Sequence, residues 1–277
     1  MTITVTPIAG VVGAQVDGID LAAPLSNDHI DEIRRAFVEH QVLVFRDQAL
    51  APAQQVAFGE RFGELDTHPF VEMNPDHPQV LDIITDPDDR ANFGGGWHTD
   101  LTFLPEPDLG SILYAVDVPA AGGDTLFASQ QAAYEALSPT MQTMIDGLVA
   151  VHSAGPQYGD GGLSTLSKAM VTKDAKRAAV QVEHPVVRTH PESGRKGLYV
   201  NRAFTIKIRG LRAAESAALL EFLYSHATSE AFTCRVAWRP GTLTMWDNRS
   251  VQHYALHDYS GHRRHMRRIT VKGDRPY

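Results

Sequence analysis

The sequence holds a single cysteine, Cys234, among its 277 residues, so no disulfide can close within the chain. It has no apolar run approaching the ~20 residues that a membrane helix needs. Its first stretch, MTITVTPIAGVVGAQVDGIDL, carries no basic residue ahead of the apolar ones, as a secretory signal would. These absences together point to the cytoplasm and to no membrane partner. There is no excess of positive charge either. Lys and Arg number 25 against 33 Asp and Glu, a net charge of −8, which argues against a nucleic-acid partner. Neither an internal repeat nor a low-complexity linker divides the chain, and residues 1–277 read as one domain. Homo-oligomerisation is left open.

What is present is a mostly strand-like pattern with helices at its edges. SNDHIDEIRRAFVEH begins with Ser26 as a candidate N-cap and sets Ile30, Ile33 and Phe37 on one face. APAQQVAFGERF reads as a second, short helix. SPTMQTMIDGL offers Ser138 as N-cap and Pro139 at the first helical position, and AAESAALLEFLYSHA is a late helix. Between them QVLVFR, SILYAVDV, KGLYVN, CRVAWR, GTLTMWD and RRITVKG read as strands, punctuated by Gly and Pro. Strands and helices do not alternate regularly, which excludes a doubly wound sheet. The fold class expected is mainly β with added helices, an antiparallel barrel or jelly roll. Residues 158–177, YGDGGLSTLSKAMVTKDAKR, are rich in Gly, Ser and Lys and show little apolar periodicity. They read as a mobile loop or lid, with a disordered insertion as the alternative.

The chemistry starts at GGGWHTDLTF, residues 94–103. On a strand His98 and Asp100 project from the same face, and the glycines ahead of them leave room beside that face. An imidazole and a carboxylate make two metal ligands. The third candidate is His253 in WDNRSVQHYA, 155 positions later. Two histidines and a carboxylate with open positions match the facial triad of non-haem Fe(II) oxygenases, but zinc hydrolases use such a set too. Further on, Arg264 and Arg268 stand four apart in a stretch that becomes strand-like. There they share a face with Met266 between them, about 13 Å apart. One alternative is a solvated basic edge. The functional one is a pair of cations facing inward to hold carboxylate or sulfonate groups.

Taken in order, GAQVDGIDL, VLVFRDQ, FGELDTHP, WHTDLTF, GGDTLFAS, EHPVVRTHPESGRKGLYVN and WDNRSVQHY make a chain that resembles the TauD/TfdA family of Fe(II)- and 2-oxoglutarate-dependent dioxygenases over nearly its whole length. The resemblance implies a double-stranded β-helix, a cupin-like jelly roll. It implies iron ligands at His98, Asp100 and His253, and 2-oxoglutarate contacts at Thr125 and Arg264. It also implies substrate-side positions at His68, Phe204 and Arg268. Fe(II) with 2-oxoglutarate and O2 as co-substrates would then hydroxylate a substrate C–H and release succinate and CO2. Asp100 argues against a halogenase, which leaves that ligand position vacant.

The chain also departs from the taurine-specific pattern. Val71 stands where those members have tyrosine, and Gly94 where they have asparagine. Both changes predict a roomier, less polar substrate pocket. LSPTMQTMIDGLVAVHSA, SGRKGLYVN and FTCRVAWR resemble aryloxyalkanoate dioxygenases of the same family, which act on phenoxypropionate-type acids. The expected substrate is therefore a small organic anion with an apolar body, an aryloxyalkanoate carboxylate ahead of taurine, an alkylsulfonate or an alkyl sulfate. The readings from other classes are a zinc hydrolase and a non-catalytic cupin-like binding protein.

Overall fold

The computed structural model describes residues 3–89, 94–159 and 177–277. Four strand segments form its centre. Val42–Phe45, Leu243–Asp247, Gly110–Asp117 and Arg264–Val271 lie side by side and antiparallel in an eight-stranded sheet. Thr4–Pro7 and Ala14–Asp17 extend one edge, while Leu65–Asp66 and Leu81–Thr85 pair with Arg264–Val271. Facing this sheet is a three-stranded one in which Thr125–Ser129 runs between Thr233–Val236 and Val251–Ala255. A second three-stranded sheet centres on Val149–Ser153. The whole is a jelly roll with helices added outside.

Period-two alternation explains how the large sheet buries both faces. Leu43, Phe45, Ile112, Tyr114, Leu243, Met245, Ile269 and Val271 point outward to pack on the helices. Val42, Val44, Leu113, Ala115, Trp246 and Met266 point inward to meet Phe127, Cys234, Val236 and Val251 of the facing sheet. The helix Asn27–His40 covers the outer face through Ile30, Ile33, Ala36 and Phe37. Its N-cap Ser26 accepts a hydrogen bond from the His29 N–H at 3.2 Å, as its spacing predicts. Ser138 caps Pro139–Ile145 in the same way. The helix Ala213–Ala227 packs Leu220, Leu223 and Ala227 against Val186, Val187 and Leu198.

Two sequence expectations change here. His98 and Asp100 do not lie on a strand. His98 makes one antiparallel bridge to His253, and Leu101 then takes a left-handed φ of 51°, which ends any strand periodicity. Most of the loop or lid expected over 158–177 lies outside the described residues. Its first residue, Tyr158, instead closes the short helix Gly155–Tyr158 and is buried.

Candidate active site

His253 sits at the middle of the strand Val251–Ala255, opposite Phe127. Backbone hydrogen bonds tie it to His98 in both directions, with N···O distances of 3.0 and 2.8 Å. The Thr99 hydroxyl adds a third tie, donating to the Val251 carbonyl at 2.9 Å. The turn after His98 then returns Asp100 beneath the two rings. Asp100 Oδ1 lies 3.7 Å from His98 Nε2 and 3.8 Å from His253 Nε2, and all three donor atoms fall within 4.8 Å of one another.

The protonation states suit a metal. Burial holds both imidazoles below their usual range, His253 at about 3, so each is neutral and keeps a lone pair. His98 Nδ1 lies 2.8 Å from the Gly96 carbonyl, an acceptor only, so the ring proton sits there and Nε2 is the free donor atom. Burial pushes the Asp100 carboxyl up, but Arg268 and a hydrogen bond from Ser111 together hold it well below the usual carboxylate range. Ser111 Oγ donates to Oδ2 at 2.8 Å, leaving Oδ1 turned toward the histidines. Asn248 donates to Ser111 at 3.4 Å and accepts from Trp246 Nε1 at 3.0 Å, so the WDN motif braces the carboxylate from behind. Two neutral imidazoles and one ionised carboxylate are the donor set a divalent first-row ion takes.

Gly94 adjoins this cluster. Its φ is 79°, and a Cβ there would stand 3.1 Å from His98 Cε1. The glycine is thus required by conformation and by contact with the His98 ring together.

Arg264 and Arg268 flank Met266 on the inner face of the strand Arg264–Val271, and all three are buried. Their neighbours turn elsewhere. Arg267 lies over the Tyr114 ring on the helix side and donates to the Leu50 carbonyl, while Arg263 is exposed and pairs with Asp117. Arg268 Nη1 lies 3.2 Å from Asp100 Oδ1. Arg264 has no carboxylate within ion-pair distance among the described residues. It donates to the Gly123 carbonyl at 3.2 Å, its Nε is buried without a partner, and burial lowers its pKa. Its guanidinium lies 5.9 Å from the Trp238 ring and 5.8 Å from that of Tyr259. Gly123, with φ of 72°, passes so close that a Cβ would stand 3.1 Å from Arg264 Nε. Thr125 Oγ1 accepts from Trp238 Nε1 at 3.0 Å, which leaves its hydroxyl proton to donate elsewhere. A buried guanidinium lacking its anion, beside a hydroxyl with a proton to give, fits a missing carboxylate.

On the other side of the histidines lies an aromatic cluster. Phe204 meets the His98 ring edge-on at 6.4 Å and Phe103 at 4.9 Å. Tyr158 stacks on Phe70 at 5.2 Å and runs nearly parallel to Phe204 at 6.4 Å. His68 adjoins Tyr158, with ring centroids 5.5 Å apart, and burial holds it at about 3. His68 and Phe204 lie in this aromatic surrounding, and Arg268 is buried beside Asp100. Val71 is buried but is not a member of this cluster. Sequence reasoning missed Phe70, Phe103 and Tyr158. Phe103 lies in the same motif as the ligands, and Phe70 is two residues from His68, so proximity to motif residues was the available signal.

The chain matches, over residues 4–270, the family described as taurine catabolism dioxygenase TauD, TfdA family. It is 36% identical over 281 residues to an alpha-ketoglutarate-dependent sulfate ester dioxygenase of Pseudomonas putida, covering 100% of this chain and 91% of the relative. Identity is 35% over 291 residues to the alpha-ketoglutarate-dependent 2,4-dichlorophenoxyacetate dioxygenase of Cupriavidus pinatubonensis, with 99% of each covered. The crystal structure of a taurine dioxygenase from Burkholderia xenovorans superposes with a TM-score of 0.84 at 36% identity, over 99% of this chain and 90% of that one.

Proposed function

The chain belongs to the TauD/TfdA family and is a 2-oxoglutarate-dependent dioxygenase that uses Fe(II) and O2; on that footing we propose that it hydroxylates a small organic anion with an apolar, aryl-sized body, an aryloxyalkanoate-like carboxylate first. In this reading His98, Asp100 and His253 hold the iron. When bound, the metal supplies oxidative decarboxylation of 2-oxoglutarate to succinate and CO2, coupled to hydroxylation of a substrate C–H. Arg264 pairs with the far carboxylate of 2-oxoglutarate, and Thr125, oriented by Trp238, donates its hydroxyl proton to the same group. Arg268, with His68, fixes the substrate anion, while Phe103, Tyr158 and Phe204 orient its body and exclude water. A small organic anion is then the partner, with no nucleic acid or membrane, and the single cysteine supports a cytoplasmic site of action.

The observation that carries this reading is the pair of inward arginines on one strand, one beside Asp100 and one lacking its anion. A zinc hydrolase or a binding-only cupin has no use for both. The preference for an aryl body, and so for aryloxyalkanoates, rests on the aromatic cluster, whose faces suit a flat ring. A second reading, an alkyl sulfate or sulfonate as substrate, draws on the full-length identity to the sulfate ester dioxygenase.

The test is succinate release with Fe(II), 2-oxoglutarate and O2 across aryloxyalkanoates, alkyl sulfates, alkylsulfonates and taurine, each acid compared with its neutral ester where one exists. Aryloxy acids are expected to give the highest kcat/KM, their esters little, and Arg268→Ala a large loss on every anion. Taurine as the best substrate would overturn the pocket argument, and esters turned over as well as acids would remove the anion anchor.

A further inference from the structure

Tyr158 has no part in the chemistry above beyond forming a wall, yet its hydroxyl is placed with care. It lies 3.4 Å from His68 Nε2, with the whole side chain buried. The direction of that contact follows from the other ring nitrogen. His68 Nδ1 accepts from the Phe70 backbone N–H at 3.2 Å, so the proton of the neutral imidazole sits on Nε2 and points at the phenol oxygen. Arg268, 3.2 Å from Asp100, acts electrostatically on both the His68 ring and the Tyr158 phenol.

An anion entering beside Arg268 needs donors, and the His68 N–H is one already engaged. The engagement is weak, since 3.4 Å is beyond the usual range for such a bond. A carboxylate or sulfate oxygen accepts more strongly than a neutral phenol, because the bond is then charge-assisted. The Tyr158 ring is stacked on Phe70 and Phe204, so displacement of the phenol oxygen from His68 requires the ring to slide along those faces.

Resting on the reading that His68 and Arg268 hold the substrate anion, we propose that Tyr158 sets affinity by competition. Its phenol oxygen occupies the place on His68 Nε2 that an anionic oxygen of the substrate, carboxylate or sulfate, takes on binding. Tyr158 is therefore a specificity-determining residue for anions strong enough to displace it, and a neutral ester oxygen gains little from the exchange.

The experiment is calorimetric titration of 2-phenoxypropionate, and separately of an alkyl sulfate, into protein loaded with Fe(II) and 2-oxoglutarate without O2. Tyr158→Phe keeps the ring and removes the competitor, so the Kd should fall about three- to tenfold, the worth of one modest hydrogen bond. The gain should vanish in the background of His68→Leu, which has no donor. It should persist in that of His68→Gln, whose amide retains one. Unchanged or weaker binding by Tyr158→Phe overturns the proposal, and weaker binding would mean that the phenol donates to the substrate instead. An equal gain without a donor at position 68 overturns it too. If neither compound binds the parent protein or any variant, the substrate reading falls first and carries this inference with it.

Discussion

At Gly94 two demands meet in one residue, a left-handed φ and a ring 3.1 Å from where a Cβ would be. Gly94→Ala should leave the fold intact but press on His98, lowering Mn(II) or Fe(II) affinity several-fold. Titration of the metal followed by electron paramagnetic resonance or calorimetry checks this, and unaltered affinity would show that the ring can yield. Arg264 makes the complementary case. Its buried guanidinium gains a partner only when a carboxylate arrives, so Arg264→Ala should weaken 2-oxoglutarate binding by roughly 2–5 kcal/mol. An unchanged 2-oxoglutarate requirement would move that role to another side chain. The inward placement of Arg264 and Arg268 was legible in the sequence because period two alone separates them from Arg263 and Arg267. The role of Tyr158 was not, since ring stacking joins residues 70, 103, 158 and 204 through tertiary contacts that no local pattern carries.

At the scale of elements, the strand Val149–Ser153 and its partner Gln181–Pro185 bring two buried histidines together. The His152 and His184 rings are 5.2 Å apart, and burial holds them at about 3 and about 4. His152 Nδ1 lies 3.1 Å from Thr102 Oγ1, and His184 Nε2 donates to the Leu104 carbonyl at 2.9 Å, so the pair backs the segment that follows the metal ligands. Both folded-state values lie below the unfolded ~6.5, so as the pH falls the unfolded chain takes up protons first. Their contribution is complete above pH ~6.5 and is lost from there down toward about 4 for His184 and about 3 for His152. At pH 5 this amounts to on the order of 2 kcal/mol per histidine. Thermal melts of the metal-free protein from pH 7.5 to 5 should show the loss, and His184→Gln should flatten the profile. An unaltered slope in that variant would place the effect in other groups. The helices were legible because Ser26, Ser138 and Pro139 mark their starts locally. The strand expected at residues 98–100 was not realised, because the reversal at Leu101 is imposed by the bridge to His253 and by contacts from distant chain.

Across the whole molecule, the motif that supplies His253 is fastened to remote parts of the chain. Asp247 is fully buried and accepts from Nε and Nη2 along one edge of the Arg249 guanidinium at 2.8 and 2.7 Å and from His190 Nε2 at 3.0 Å. Arg249 continues to Glu192, and Glu192 to Arg34 on the first helix. Burial raises the Asp247 carboxyl, yet Arg249 and His190 hold it well below the usual carboxylate range. Asp247→Ala strands a buried cation and should destabilise the fold by on the order of 3–5 kcal/mol. Chemical denaturation measures this, and a loss under 1 kcal/mol would show that Glu192 alone suffices for Arg249. Beyond the Asp247–Arg249 pair within WDNRS itself, this network could not be read from the motif, since its other partners lie about 60 and 200 residues upstream. The jelly-roll architecture was legible, because strand-like runs without regular helix alternation leave few other arrangements.

The single bridge between His98 and His253 also bears on how the protein is made. Two of the three side chains proposed to hold the iron leave the ribosome with residues 98 and 100, while the third follows 155 positions after the first. At ordinary elongation rates of about 5–20 residues per second, that is an interval of roughly 8–30 s. Throughout it the nascent chain holds only two of the three, and on the proposed assignment the full set forms once the strand Val251–Ala255 has been synthesised and has docked beside Thr125–Ser129. In a cell starved of iron the chain is expected still to reach its final fold, since the bridge is built of backbone hydrogen bonds and needs no metal, and to take up the ion as a finished protein.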